Sequence, residues 1–169
     1  GLEKALAPVV RQRRRPAVLT VEDAQKVLGT VEQQAAHPVT RLAHRLLALT
    51  AMRPGELRGG CWSEVSDLDA PEPVWIVAAA RMKDIAERRA DTKDHVVPLS
   101  RQAVEALRTL QRLSGTGALM FPSWSAANRP ISDMALSMAL KRAGFDGVHV
   151  PHGWRATFST VMNERDPRD

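Results

Sequence analysis

The sequence predicts a mainly α domain with a small antiparallel β-hairpin, an α+β fold class. Three observations predict it. Apolar residues recur with the helical period of about 3.6 residues, Ser and Thr precede several of these segments, and two β-prone stretches flank one charged stretch. The 169 residues suffice for one compact domain with a buried core, and an apolar fraction of 44% is typical of globular proteins.

The first half of the chain predicts two long helices and a short one. Thr20 caps the first helix, on which one face carries Val21, Ala24, Val27, Leu28 and Val31. The second helix follows Pro38 and is apolar around so much of its circumference that we expect it to be central. Pro54 then restarts the chain as a short helical turn, because proline suits a first helical position. Arg53 stands at the break between the two helices.

The second half predicts a hairpin followed by three helices. Residues 74–80 and 95–98 are β-prone, and the charged residues between them form a long polar tip. Ser100 caps a helix whose apolar face carries Val104, Leu107, Leu110 and Leu113. Ser132 caps another helix, which ends near Gly144. The last helix begins around Pro151.

The last helix carries polar and apolar residues at spacings that separate two faces. His152 and Arg155 are three residues apart, so they share one face. Trp154, Phe158 and Val161 can point toward the core.

Charge favours a polyanionic partner without identifying one. Lys and Arg number 24 against 19 for Asp and Glu, a net charge of +5. Most of the cations are Arg, whose planar fork grips phosphate oxygens in pairs, although a solvated basic surface explains the charge equally well. We predict that residues 1–17, with the run Arg11 to Arg15, form a basic linker that could also touch a DNA backbone. Residues 18–169 form the domain.

The remaining composition predicts a cytoplasmic protein. The single cysteine, Cys61, cannot form an internal disulfide and has no companions at zinc spacing. No apolar run is long enough for a membrane span, and no hydrophobic signal segment opens the chain. The opening Gly1 without Met and the polar end suggest a fragment of a longer protein.

Three ordered motifs resemble the boxes of tyrosine recombinases, in the style of phage and genomic-island integrases. The first is Leu49-Thr-Ala-Met-Arg-Pro-Gly-Glu-Leu57, and the last is Pro151-His-Gly-Trp-Arg-Ala-Thr-Phe-Ser-Thr160. Between them, Ala80-Arg-Met-Lys83 and His95-Val-Val-Pro-Leu-Ser100 resemble the hairpin that carries the family's lysine. The likeness runs from about residue 20 to residue 163.

The resemblance implies a catalytic domain that activates a DNA phosphodiester. Attack on phosphorus builds negative charge on the non-bridging oxygens, which Arg53 and Arg155 would meet with paired hydrogen bonds and without a metal or cofactor. Lys83 would protonate the leaving 5′ oxygen as general acid, with Lys93 as the alternative. His152 would bind the phosphate or assist proton transfer.

Other residues take supporting roles in this interpretation. Glu56 would orient Arg53, and Lys93 and His95 are candidate DNA contacts. Each of these residues also has a structural interpretation when taken singly; Arg53, for example, could simply end a helix. Trp62, Trp75 and Trp124 are interpreted as core or hinge residues, and Trp124 could also contact a DNA sugar.

The nucleophile of the family is missing, because the 169 residues contain no tyrosine. We therefore expect a catalytic domain whose C-terminal part is missing, inactive alone, from a protein that recombines DNA through a 3′-phosphotyrosine. The implied partners are double-stranded DNA attachment sites, on which the full protein would form a tetramer. The implied setting is the nucleoid of a bacterial cytoplasm, with a bacterial or phage-encoded protein.

Three alternatives stand beside this interpretation. A non-cleaving DNA-binding or regulatory relative would share the boxes, and a type IB topoisomerase uses a similar residue set. A basic helical protein-interaction module would explain the charge but leaves the three ordered motifs unexplained.

Overall fold

The computed structural model describes residues 14–82 and 93–165, and within them the chain folds around one helical core. The described residues form six α-helices and two small antiparallel sheets, which confirms the predicted fold class. The elements are α1 (Val21–Gln33), α2 (Pro38–Thr50), α3 (Pro54–Arg58), β1 (Val74–Val77), β2 (His95–Pro98), α4 (Arg101–Ser114), β3 (Pro122–Ser123), β4 (Ala126–Pro130), α5 (Asp133–Arg142) and α6 (Gly153–Arg165).

Helix α2 is central, as its apolar circumference predicts. It packs against α1, α3, α4, α5 and α6. Its buried apolar side chains include Val39, Ala43, Leu46 and Leu47. Every other helix can therefore place its functional residues relative to one common element.

The predicted helix caps are confirmed. The side chains of Thr20, Ser100 and Ser132 accept backbone N–H groups at the starts of α1, α4 and α5. Each cap satisfies an N–H group that the first helical turn leaves unpaired. On α4, Leu113 is 51% exposed, so its predicted place on the buried face is wrong. The apolar face leaves the core at the last turn of that helix.

The first sheet pairs β1 with β2, with Val74 opposite Pro98 and Val77 opposite His95. The hairpin prediction is right, but β1 ends at Val77 and not at Ala80, because the chain turns into a 3-10 helix at Ala79–Arg81. Trp75 is fully buried and stacks on Phe121, so the sheet packs on the core through an aromatic pair.

The second sheet, β3 with β4, is absent from the sequence prediction. Its strands are short, and β4 is mostly exposed, so neither shows the alternation that identifies a half-buried strand. Trp124 lies in the turn between them and is 85% exposed, so its interpretation as a core residue is wrong.

Helix α6 begins at Gly153, so His152 lies in the turn before it and not on the helix. Trp154 is fully buried, as predicted, whereas Phe158 and Val161 are half-buried. Within the described ranges, no helix has the length and apolarity that crossing a membrane requires.

Candidate active site

Arg53 projects from a sharp turn between α2 and α3. Helix α2 is followed by its C-cap residue Ala51 in the left-handed region, at φ 53°, and Arg53 is the extended N-cap residue of α3. The extended backbone follows from Pro54, which disfavours a helical conformation in the residue before it. Arg53 therefore lies between the two helices and not within either, with its side chain 43% exposed.

Glu56 holds Arg53 from the first turn of α3. Arg53 Nη1 donates a hydrogen bond of 2.8 Å to Glu56 Oε1, and the Glu56 side chain is only 7% exposed. The carboxylate thus fixes one side of the guanidinium from a buried position. This is the contact that the Arg-Pro-Gly-Glu spacing predicts for an orienting residue.

Arg155 reaches the same turn from α6. Its Nη1 donates a hydrogen bond of 2.5 Å to the carbonyl oxygen of Ala51, which the left-handed backbone leaves outside the helix. Burial lowers the pKa of Arg155 below its ordinary value, and the charge of Arg53 lowers it further, while Glu56 opposes both. The two guanidinium groups therefore lie close enough to repel each other, and a bound anion would relieve that repulsion.

His152 lies beside the two arginines. Burial lowers its pKa, as do the charges of Arg15, Arg155 and Arg53, while Asp133 raises it. The imidazole is therefore neutral at neutral pH and has one nitrogen free to accept a proton. His152 also lines a pocket of about 360 Å³ together with Pro54 and Asp133.

The first sheet brings His95 to the site through Glu56. His95 Nδ1 lies 3.7 Å from Glu56 Oε2, a buried oxygen without a hydrogen-bond partner among the described residues. Lys93 is exposed, two residues before β2. Lys83 lies outside the described residues, so the structure does not place it. The arrangement brings together Arg53, Glu56, His95, His152 and Arg155.

Arg81 is a structural residue of the site that the sequence interpretation left without a role. Its Nε and Nη2 donate to the two carboxylate oxygens of Glu64 at 2.6 and 2.9 Å, and its Nη1 donates to the carbonyl oxygen of Glu56 at 2.9 Å. Glu64 also accepts the indole N–H of Trp75 at 2.9 Å. Arg81 therefore ties the end of the first strand to α3, and its place two residues before Lys83 was the available signal.

A metal-binding cluster is not present in residues 14–82 and 93–165, where no group of three or more His, Cys, Asp or Glu side chains is placed to hold an ion. The positive charge that these residues gather at the site belongs to Arg53, Arg155 and, across the pocket, Arg15.

The described residues combine a mainly α fold with Arg53 and Arg155, which meet at one turn, and with His152, on which both of their charges act. The family model described as "Phage integrase family" matches residues 17–167, and the chain belongs to that family. The resemblance that the motifs predicted is confirmed.

Similar curated proteins include prophage integrases of Escherichia coli (strain K12). Prophage integrase IntA is 34% identical over 153 residues, which are 90% of this chain and 35% of that protein. Prophage integrase IntZ is 39% identical over 134 residues, which are 78% of this chain and 30% of that protein. The chain thus spans about a third of the length of these relatives.

Solved structures share the fold at low sequence identity. XerH site-specific recombinase bound to difH substrate has a TM-score of 0.69 at 16% identity, covering 92% of this chain and 45% of that one. A lambda integrase dimer bound to a COC′ core site has a TM-score of 0.62 at 19% identity, covering 92% and 43%.

Proposed function

We propose that this site binds and activates the scissile phosphate of DNA, and that the full-length protein carries out site-specific recombination through a 3′-phosphotyrosine intermediate. The observation that carries the proposal is the meeting of Arg53 and Arg155 at one turn, with Arg155 bonded to the carbonyl of Ala51. Membership of the phage integrase family supports it.

The arginines would stabilise the transition state through pre-organised positive charge. Each guanidinium is fixed through one nitrogen, Arg53 by Glu56 and Arg155 by Ala51. The other N–H groups can then meet the non-bridging oxygens with little reorganisation. This type of stabilisation contributes roughly 3 kcal/mol for each well-placed donor in enzymes.

The remaining groups would handle protons. The lowered pKa of His152 leaves a neutral imidazole, which can accept a hydrogen bond or proton from an attacking hydroxyl group. Lys83 is our general acid for the leaving 5′ oxygen, with Lys93 as the alternative. The attacking hydroxyl belongs to a tyrosine that these 169 residues do not contain, so we expect this polypeptide alone to be inactive.

The proposed partner is double-stranded DNA carrying an attachment site. Solved structures of similar fold include XerH bound to difH substrate, a lambda integrase dimer bound to a COC′ core site and a lambda integrase tetramer bound to a Holliday junction. By analogy we propose that the full-length protein assembles as a tetramer on DNA. It would act at the nucleoid in the cytoplasm of a bacterium.

Substitution of the two arginines tests the proposal. We expect Arg53→Ala and Arg155→Ala each to weaken binding of a fluorescein-labelled duplex by about tenfold at low salt, because a charge-assisted phosphate contact is lost. Fluorescence anisotropy across a salt titration should show a shallower slope, by about 0.9 for each lost contact.

The matched control is Arg112→Ala. Arg112 donates to Thr109 on its own helix, α4, which carries none of the site residues. Its loss should change the affinity much less, and circular dichroism should show that all three variants fold. If the site variants bind like the wild-type chain, the phosphate-binding assignment is wrong.

A further inference from the structure

The segment before α1 is bound to the start of α6. The carbonyl oxygen of Pro16 accepts the N–H of Val150 at 3.3 Å, and the N–H of Val18 donates to His149 Nδ1 at 3.1 Å. Thr157 Oγ1 donates to the carbonyl oxygen of Val18 at 2.5 Å. We call residues 16–18 the strap, because these three hydrogen bonds hold them across the turn that precedes α6.

Gly153 makes room for the strap. A Cβ atom at this position would lie 2.6 Å from the carbonyl oxygen of Pro16 and 3.2 Å from Cβ of Ala17. The first distance is too short for any side chain, so the strap can approach only a glycine here. The glycine of the His-Gly-Trp-Arg motif thus has a packing role beside the two candidate site residues.

The strap places Arg15 beside His152. Both residues line the pocket of about 360 Å³, next to Pro54 and Asp133. Among the charges that act on His152, that of Arg15 has the largest effect. Asp133 opposes the effect of Arg15 on His152 but acts less strongly, and its carboxylate also pairs with Arg58 at 2.9 Å. The pocket therefore carries an exposed Arg15 at its rim and continues the cationic site formed by Arg53 and Arg155.

We propose that Arg15 binds a second phosphate of the same DNA backbone, beside the phosphate held by Arg53 and Arg155, and that the strap fixes it in that position. The inference rests on the proposed function, since it extends that site along the DNA. The exposed guanidinium donates no hydrogen bond to the described residues, so its N–H fork can meet phosphate oxygens, and the strap lowers the entropy lost when it binds.

Binding of a fluorescein-labelled duplex tests the proposal, with Arg14→Ala as the matched control. Arg14 is exposed, next in the chain, and carries the same charge. We expect Arg15→Ala to weaken binding about tenfold at low salt and to reduce the salt slope by about 0.9, and Arg14→Ala to do clearly less. Equal effects of the two substitutions would show general attraction to a basic linker and would overturn the proposal.

A second variant tests the strap itself. Thr157→Val keeps the shape of the side chain but removes the hydroxyl that holds Val18. It should weaken DNA binding in the wild-type chain and have little further effect when Arg15 is already Ala. Additive effects in this double-mutant cycle would contradict a strap that acts through Arg15.

An NMR titration of His152 supplies a readout apart from DNA. Arg15→Ala should raise the pKa of His152, because a nearby positive charge is removed. An unchanged titration curve would show that Arg15 does not lie beside His152. If Arg53→Ala and Arg155→Ala weaken binding while Arg15→Ala does not, this inference fails and the proposed function stands. If none of the three has an effect, the proposed function fails.

Discussion

At the residue scale, the guanidinium groups of Arg53 and Arg155 are held in place in the same way. Each guanidinium makes its hydrogen bonds to the described residues through Nη1 alone, to Glu56 in one case and to Ala51 in the other. A guanidinium has several N–H donors in one plane, so fixing one edge sets the direction of the rest. Lysine cannot reproduce this, because its ammonium group is a point charge on a flexible stem.

A prediction at the residue scale distinguishes Lys83 from Lys93 as the general acid. In the full-length protein, Lys83→Ala should slow strand cleavage of attachment-site DNA by about 10²–10⁴-fold, because the 5′ oxygen then leaves without a proton. A substrate with sulfur in place of that bridging oxygen should restore the rate, since a thiolate leaves unprotonated. Cleavage is measured as single-turnover product on denaturing gels.

Lys93→Ala and Arg53→Ala are the controls for this experiment. Lys93→Ala should cleave the ordinary substrate near the wild-type rate. Arg53→Ala should be slow on both substrates, because its role is to stabilise charge on the non-bridging oxygens. If the sulfur substrate restores cleavage by Lys93→Ala and not by Lys83→Ala, Lys93 is the general acid. If it restores cleavage by neither variant, these lysines do not protonate the leaving group.

The site was predictable where its residues are close in sequence. Arg53 and Glu56 are three apart on one turn, and His152 and Arg155 are three apart around one helix start, so local geometry alone pairs them. The contact between Arg155 and Ala51 joins residues 104 positions apart and depends on how α6 packs on α2. Such contacts leave no local pattern, and for that reason the bonds from Arg81 to Glu64 and Glu56 emerge only from the structure.

At the element scale, the position of α6 depends on a buried histidine. The indole N–H of Trp154 donates to His44 Nδ1 at 3.2 Å, so Nε2 carries the ring proton and donates to the carbonyl oxygen of Leu136 at 3.0 Å. His44 thus joins α2, α5 and α6. Across Trp154, His149 lies with its ring centre 4.2 Å away and accepts the N–H of Val18.

These two histidines predict an acid-sensitive fold. Burial lowers the pKa of His44 to about 4 and that of His149 to about 4, from 6.5. Above pH 6.5 neither contributes a pH dependence. Between pH 6.5 and 4 the unfolded chain binds protons that the folded chain does not, so stability falls as pH falls. The loss is at most about 3 kcal/mol for each histidine.

Urea denaturation between pH 7 and pH 4.5 measures this effect. His149→Asn keeps an acceptor for Val18 but does not titrate, so it should be less stable at pH 7 and show a shallower pH dependence. His37→Asn is the control, because His37 is exposed and Asn also caps a helix. If His149→Asn has the wild-type pH dependence, burial of this imidazole does not govern acid stability.

Elements were predictable in proportion to the strength of their local signals. Helices α1, α2, α4 and α5 have both a periodic apolar face and a cap or proline at the start, and each was predicted close to its observed bounds. The β3–β4 hairpin has neither signal, because its strands are held by pairing and by the N–H of Ile131 bonded to the carbonyl oxygen of Phe121. Tertiary contacts decide such short strands.

At the scale of the whole molecule, the proposed reaction has two parts, the activation of the phosphate and the nucleophilic attack by a tyrosine. The 169 residues carry candidates for phosphate binding and proton transfer, and they contain no tyrosine. The chain covers 35% of the length of IntA and 45% of the XerH chain. A catalytic site without a nucleophile can bind its phosphate but cannot form a covalent intermediate.

The last prediction follows from this division. Full-length protein mixed with attachment-site DNA should give a covalent adduct that survives sodium dodecyl sulfate and contains phosphotyrosine by mass spectrometry. The 169-residue chain should shift the same DNA in a native gel and give no adduct. Arg155→Ala in the full-length protein should greatly reduce the adduct, because the transition state loses a phosphate contact. An adduct formed by the 169-residue chain would require a nucleophile other than tyrosine, such as a serine, a threonine, a histidine or Cys61, and the phosphotyrosine mechanism would then be wrong.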